Sequence, residues 1–312
     1  MKLLAVDDDP IFLDLLVTTL NELGYDNITP VKSAMEALHE LAIATDPFDC
    51  LLFDIQMPVK NGIDLTKEVR QQARYAHTPI IMITSMQQRD FIDQAYAAGA
   101  NDYVVKPIQS LELAARIGMV KKVAELNDQV RHAASRTGQT FRFSDAIPLE
   151  PRDNILNYLA LENYLLTLGR LRMSNICAFG VSLVGASDRF ATSPIDEYTD
   201  ILNDIAAIVV DHTIKYRPLV SYAGSGRFIV VLPRAMGLDT EDLAAFVNAE
   251  LESLYTSVYL PEEMGAEVRM GPVHRPRMLN GFSPNSMITK VLGGMSDEVQ
   301  GARYKHLWKS AA

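Results

Sequence analysis

The first third of the chain alternates short β-rich runs, several of them continuously apolar, with helical stretches, and this alternation restricts the possible folds most strongly. The runs are Lys2–Val6, Asn27–Pro30, Cys50–Asp54, Pro79–Thr84 and Tyr103–Val105. Continuous apolar runs of this length are typical of strands that are buried on both faces of a parallel sheet. Alternating strands and helices of this size predict a doubly wound α/β domain with a five-stranded parallel sheet.

Local signals place helices between these runs. Asp9 precedes Pro10, which is the combination of a helix N-cap and a proline in the first turn. Ser33 is positioned as the N-cap of the next helix, and Gly99 follows the predicted helix Gln87–Ala98 as a C-terminal stop signal.

Composition bounds the class of protein. The chain has 312 residues, which favours two domains. It has 29 Lys and Arg against 39 Asp and Glu, and a pI near 5.1 argues against a general nucleic-acid binder. Cys50 and Cys177 are too few for a disulfide scaffold and are expected to be buried thiols. The N-terminus lacks the pattern of a signal peptide and no apolar run is long enough to span a membrane, so we expect a cytoplasmic protein.

The domain arrangement follows from the second half of the sequence. A first domain is predicted over residues 1–125, and a proline-free helical stretch from Ser110 to about Arg136 forms a connector over residues 110–140 that overlaps its last helix. The apolar seam of this stretch makes a homodimer possible. Residues 141–312 have an α+β pattern, with predicted helices at Asn154–Arg172 and Ile195–Ile214 and an antiparallel hairpin around residues 224–226.

Polar residues follow the predicted strands of the first domain. Asp7 and Asp8 follow strand 1, Asp54 ends strand 3, Thr84 ends strand 4 and Lys106 follows strand 5. Strand ends of a doubly wound sheet meet at one edge, where the carboxylates would repel one another and their pKa values would rise. Mg²⁺ relieves such repulsion and keeps waters for a phosphate donor. Asp54 can then act as a nucleophile that forms an acyl phosphate, with Lys106 and Thr84 contacting the phosphoryl oxygens.

These residues carry a resemblance to a known family. Residues 1 to about 125 resemble the receiver domain of two-component response regulators. The matching motifs are Val6-Asp7-Asp8, Phe53-Asp54-Ile55-Gln56-Met57-Pro58 with Asn61-Gly62, Ile83-Thr84-Ser85 and Lys106-Pro107.

The resemblance implies a role for each position. Asp54 would be the phosphoacceptor, and Asp8 and Asp54 would bind Mg²⁺ directly. Asp7 would act largely through water, and the backbone carbonyl of Gln56 would be a further ligand. Thr84 and Tyr103 resemble the family's switch pair, and Lys106 resembles its invariant lysine.

The second half resembles, more faintly, the hairpin of a GGDEF (diguanylate cyclase) domain. The five-residue signature stands here as Gly224-Ser225-Gly226-Arg227-Phe228, followed by the apolar run Ile229–Pro233. An unrelated α+β domain with plain turn glycines is the alternative.

The resemblance places non-acidic residues where a cyclase needs carboxylates. The metal-binding positions correspond to Ser182 and Val184, and the acidic signature positions to Gly226 and Arg227. Two metals around the GTP phosphates require carboxylates to hold them. A degenerate, catalytically inactive GGDEF-like domain is therefore expected.

The sequence thus predicts a response regulator. A sensor histidine kinase or phosphotransfer protein would phosphorylate Asp54, the face of the fourth helix, fifth strand and fifth helix would change, and the fifth helix would transmit the change. The output domain would act on a downstream protein that the sequence does not specify. Alternatives are an active or nucleotide-binding cyclic-di-GMP signalling protein, a DNA-binding regulator, which the acidic composition disfavours, and a phosphate sink.

Overall fold

The computed structural model describes residues 1–85, 89–119, 142–233, 237–257, 266–276 and 284–295. The chain divides into two compact units, Met1–Leu168 and Gly169–Ala312. Among the described residues, no helix is long and apolar enough to cross a membrane.

The first unit contains the predicted parallel sheet. Its strands are β1 Lys2–Val6, β2 Asn27–Val31, β3 Cys50–Phe53, β4 Ile80–Thr84 and β5 Asp102–Val105. They lie in the order β2-β1-β3-β4-β5, and every neighbouring pair is parallel. All residues of β3 and β4 are buried, as expected for central strands covered by helices on both faces. The prediction of a five-stranded doubly wound sheet is confirmed.

Helices cover both faces of this sheet. They are α1 Pro10–Glu22, α2 Ala34–Ile43, α3 Gly62–Arg70, α4 Arg89–Ala97 and α5, described over residues 110–119. Asp9 caps α1 by accepting the N–H groups of Ile11 and Phe12, and Ser33 caps α2. Gly99 follows α4 with a φ of 99°, a conformation that favours glycine. The capping predictions are therefore confirmed.

One predicted helix begins at a different residue in the structure, and a second is only partly described. Helix α6 spans Tyr158–Met173 and not Asn154–Arg172, because Asn154 has a positive φ of 71° and Ile155–Leu156 form the short strand β6. The long connector helix is described only as far as residue 119. The rest of the connector, with most of its predicted dimer seam, lies outside the described residues.

The boundary between the units falls within α6, whereas the sequence placed the start of the second domain at residue 141. The difference has a packing cause. Leu161 and Tyr164 in the first half of α6 are buried, and Tyr164 contacts α4 of the first unit. Long-range contacts of this kind leave no local sequence pattern.

The second unit is an α+β domain. Its strands are β7 Cys177–Leu183, β8 Leu219–Tyr222, β9 Arg227–Leu232 and β10 Val268–Met270. Its helices are α7 Ala186–Thr192, α8 Ile195–Thr213, α9 Thr240–Ser257 and α10 Pro284–Gly293. The strands lie in the order β10-β7-β9-β8 with antiparallel neighbours. Together with α8 and α9 they form a βαββαβ unit, the ferredoxin-like arrangement. The hairpin was predicted; the short helix α7 was not.

Both cysteines are buried and free, as the sequence predicted. Burial raises the pKa of the Cys50 thiol to about 12. The thiol therefore stays protonated at neutral pH and packs as a small apolar side chain in the centre of the sheet.

Candidate functional site

The carboxyl ends of the parallel strands place the predicted residues along one edge of the first sheet. Asp7 follows β1, Asp54 follows β3, and Lys106 follows β5. Thr84 is the last residue of β4. The chain forms β2 on one side of β1 and β3 on the other, so Asp7 and Asp54 lie where the strand order reverses. This is the position where open α/β sheets bind ligands.

Lys106 joins the two carboxylates. Its Nζ lies 2.6 Å from Oδ2 of Asp7 and 3.0 Å from Oδ1 of Asp54. The side chains of Asp7 and Asp54 are only 3% and 4% exposed. The ammonium offsets both their mutual repulsion and part of the cost of removing them from water. We call these three residues the acidic cluster, because two carboxylates and one ammonium leave one negative charge in excess.

The environment shifts the pKa values of this cluster. Burial is the main cause of a raised pKa at Asp54, and the charge of Asp7 raises it further. Lys106 and the backbone N–H of Gln56 bond to the Asp54 carboxylate and lower that pKa in part. Burial lowers the pKa of Lys106, but its bonds to Asp7 and Asp54 outweigh burial, so its pKa is raised. Lys106 therefore remains an ammonium and is available to pair with an incoming anion.

Asp8 and Gln56 lie at the exposed margin of the cluster. Asp9 has a structural role, because its carboxylate caps α1 and its N–H donates to Oδ1 of Asp7 over 3.0 Å. The structure thus brings Asp7, Asp54 and Lys106 into contact and leaves Asp8 facing solvent.

The donor chemistry of the site fits a hard divalent cation. Asp7 and Asp54 supply carboxylate oxygens at the edge of the sheet, and Asp8 supplies a third carboxylate from the adjacent position. Mg²⁺ takes oxygen ligands and keeps several waters when it binds phosphates, so a few carboxylates are enough. Over the part of the chain that the structure describes, no three His, Cys, Asp or Glu side chains are gathered as a metal site. This agrees with the contact of Lys106 to two carboxylates while the third is exposed.

The predicted switch residues lie on neighbouring strands. Thr84 and Tyr103 are buried, and Tyr103 pairs with Met82, two residues before Thr84 on β4. Thr84 itself pairs with Val105, next to Lys106. Thr84 and Tyr103 therefore lie on the two paired strands, β4 and β5, that end at the acidic cluster, so a movement of either strand there would displace one of them.

The sequence did not predict the contact of Lys106 with Phe12, or the reason why glycine stands at position 62. The Nζ of Lys106 lies 3.8 Å above the ring of Phe12 in α1, a cation–π contact that helps to hold the ammonium. At Gly62, a Cβ atom would lie only 2.0 Å from the carbonyl oxygen of Asp54. The Asn61-Gly62 pair could have signalled a close backbone approach; nothing in the sequence marks Phe12.

The hairpin signature of the second unit forms a tight turn between β8 and β9. Residues 224–226 have positive φ angles of 84°, 56° and 68°. The N–H of Arg227 donates to the carbonyl of Gly224, and the buried Phe228 ring contacts Tyr222 edge-on at 5.2 Å between centroids. The signature residues therefore have a clear role in forming the hairpin.

The positions compared with cyclase carboxylates meet across the second sheet. Ser182 on β7 pairs with Arg227 on β9 and with Arg269 on β10. Two arginines thus flank the position that was compared with a metal-binding carboxylate of the cyclase family. Val184 follows β7, and its N–H donates to the carbonyl of Glu267. None of the compared positions carries a carboxylate.

Comparisons with known proteins identify the first unit. Residues 3–118 match the family model described as the response regulator receiver domain. Chemotaxis protein CheY1 of Helicobacter pylori is 37% identical over 120 residues, which cover 38% of this chain and 96% of that protein. The transcriptional regulatory protein AruR of Pseudomonas aeruginosa is 34% identical over 180 residues, which cover 55% of this chain and 69% of that protein.

A solved structure of chemotaxis protein CheY4 from Vibrio cholerae, crystallized at low pH, shares 33% identity with this chain. The match covers 38% of this chain and 97% of that one, with a TM-score of 0.36.

The contact at Gly62 leads to a prediction with a matched control. Gly62→Ala places a methyl group against the backbone of Asp54, which should displace the loop after β3, cost about 1–3 kcal/mol of stability and slow phosphoryl uptake. Gly118→Ala in α5 meets no atom within 4 Å among the described residues outside its own turn of helix, and it should stabilise the helix by about 0.5–1 kcal/mol. Urea unfolding of the full chain measures both changes. Equal effects of the two substitutions would mean that the close approach at Gly62 does not constrain the site.

Proposed function

Because this chain belongs to the response regulator receiver family, and so to two-component signalling, we propose that Asp54 is its phosphoacceptor. The observation that carries the proposal is the acidic cluster, in which the partly buried Lys106 contacts the buried Asp54 at the edge where the strand order reverses. The phosphoryl donor would be a sensor histidine kinase or a phosphotransfer protein.

The chemistry is a transfer of one phosphoryl group. An oxygen of Asp54 forms a bond to phosphorus as the bond to the donor breaks, and the donor's leaving group departs with its electron pair and takes up a proton. Burial raises the pKa of Asp54, whereas the bonds from Lys106 and the Gln56 N–H lower it in part and so favour the ionised carboxylate that attacks. Lys106 then exchanges its contact with the carboxylates for one with the phosphoryl oxygens.

Asp7, Asp8, Asp54 and the carbonyl of Gln56 are the residues we propose for Mg²⁺. Bound there, Mg²⁺ would neutralise charge between the carboxylates and the phosphoryl oxygens. The fit of the oxygen donors, the excess negative charge of the cluster and the raised pKa of Asp54 support this assignment.

We propose that the second unit is a degenerate GGDEF-like output domain that acts by binding a protein. The βαββαβ order and the glycine hairpin at residues 224–226 support the likeness. The pairing of Ser182 with Arg227 and Arg269 supports loss of catalysis, because arginines cannot hold the metals that the triphosphate requires.

The first test concerns the phosphoacceptor. With a small phosphodonor such as acetyl phosphate and Mg²⁺, the wild-type chain should gain one phosphoryl group, seen by intact mass. Asp54→Asn should gain none, because the amide is not a nucleophile. Asp14→Asn, an exposed acid on α1, is the matched control and should label like the wild type. Labelling of Asp54→Asn at the wild-type rate would overturn the assignment.

The second test concerns catalysis by the second unit. Purified full-length protein, phosphorylated or not, is incubated with GTP and Mg²⁺ or Mn²⁺ and the products are separated by chromatography. No cyclic dinucleotide should form, because each 1.36 kcal/mol of lost transition-state stabilisation costs about tenfold in rate and all the acidic positions are replaced. An active cyclase run in parallel confirms the assay. Heat-labile product formation by this chain would contradict the proposal.

A further inference from the structure

An aromatic ring contacts the ammonium of the acidic cluster from the side of α1. Phe12 lies in the first turn of that helix, and the Nζ of Lys106 lies 3.8 Å from the centroid of its ring. The ammonium therefore has three partners: the ring, Oδ2 of Asp7 at 2.6 Å and Oδ1 of Asp54 at 3.0 Å. The negative face of an aromatic ring attracts a cation, more strongly where water is excluded. Because the Lys106 side chain is only 16% exposed, little water screens this contact.

The position of Phe12 is fixed both through its backbone and through its ring. Its N–H donates to Oδ1 of Asp9 over 3.3 Å, and the N–H of Asp9 donates to Oδ1 of Asp7 over 3.0 Å. The half-buried ring packs against the core cluster that includes Leu3 of β1 and Ile117 of α5. The ring therefore stays in place when the ammonium moves. A displacement of the ammonium to more than about 6 Å from the ring centroid removes the contact.

Two cations compete for the same carboxylates in this site. Asp7 and Asp54 belong to the residues proposed for Mg²⁺, and Lys106 contacts an oxygen of each. Because like charges repel, a divalent cation at these oxygens weakens the hold of the ammonium on them. A group that stabilises the ammonium in its present position therefore opposes metal binding, and metal binding opposes that position to the same extent. The ring of Phe12 is such a group.

We propose that Phe12 is a positioning residue: its π face holds the Lys106 ammonium at Asp7 and Asp54, and the strength of this contact sets the Mg²⁺ affinity of the unphosphorylated site. The proposal rests on the metal site proposed above. A weaker π face releases the ammonium more readily, so Mg²⁺ binds more tightly and phosphoryl uptake by Asp54 requires less Mg²⁺. The alternative is that the ring only covers the aliphatic stem of the lysine, as any apolar side chain of similar size would.

The test weakens the π face while keeping the shape of the ring. Site-specific replacement of Phe12 by a trifluorinated phenylalanine withdraws electrons from the ring and changes its volume little. Titration calorimetry of the full chain should then show a Mg²⁺ affinity raised by about threefold to tenfold, and a monofluorinated ring should give an intermediate value. With acetyl phosphate, the Mg²⁺ concentration for half-maximal phosphorylation should fall by the same factor, whereas the rate at saturating Mg²⁺ should stay unchanged.

Two controls separate the effect on the ammonium from other effects of fluorine. Phe48 has a cation–π contact of its own, with the Nζ of Lys2 at 4.4 Å from its ring centroid. Lys2 is the first residue of β1, so this contact lies at the opposite edge of the sheet from the acidic cluster. The trifluorinated ring at Phe48 should leave the Mg²⁺ affinity at the wild-type value. In a Lys106→Met chain, which lacks the ammonium, the trifluorinated ring at Phe12 should leave the Mg²⁺ affinity of that chain unchanged.

The possible results distinguish the role of Phe12 from the metal site on which it rests. A Mg²⁺ affinity that is independent of fluorination at Phe12 overturns the role of the ring and leaves the metal site in place. An equal rise from the ring at Phe48, or in the Lys106→Met chain, also overturns it, because the effect then does not act through the ammonium. A wild-type chain that binds no Mg²⁺ overturns the metal site, and the role of Phe12 with it.

Discussion

The contact of the Lys106 ammonium with two buried carboxylates is the constraint on which the site depends. Asp7 and Asp54 follow neighbouring strands, so the parallel sheet that buries them also brings their charges together. Without a cation, their repulsion and desolvation would oppose the fold at its central strands. The ring of Phe12 holds the same ammonium from α1. The two carboxylates that make the site reactive therefore also destabilise the fold. Lys106 offsets this destabilisation, and a bound metal ion and a phosphoryl group would change the balance of charge in the site.

Most of the first unit could be predicted from sequence, because its information is local. Apolar runs bounded by caps such as Asp9 and Ser33 fix the strands and helices, and the polar residues fall at strand ends. The role of Gly62 is visible only in the structure, because a Cβ atom added there would lie 2.0 Å from the carbonyl oxygen of Asp54, eight positions away in sequence. The cation–π contact of Phe12 depends on the relative position of α1 and β5, which no local pattern encodes.

The fold from residue 141 onwards was harder to predict from the sequence, because it too depends on contacts between residues far apart in the chain. The first half of α6 is held by contacts between residues far apart in the chain, such as Tyr164 with Asp93, and the boundary between the units therefore falls at Leu168. Asn154 has a positive φ, so α6 begins after it and not at it. Asparagine tolerates this conformation better than most residues, so its presence could have indicated a break in the helix. In the second unit, a glycine-bearing hairpin was predictable from its local pattern. The placement of Ser182 between two arginines follows from strand pairing and needed the structure.

Thermal unfolding of Lys106→Met with and without Mg²⁺ tests the central claim most directly. Methionine keeps the volume of the stem but removes the ammonium, which leaves Asp7 and Asp54 buried together. At pH 8 without Mg²⁺ the variant should lose about 3–5 kcal/mol of stability, the cost of breaking a buried ion pair from one side. Mg²⁺ should then raise the unfolding temperature of the variant by more than that of the wild type, because it replaces the missing positive charge. Equal stabilisation of both proteins by Mg²⁺, or a variant as stable as the wild type without it, would contradict the account.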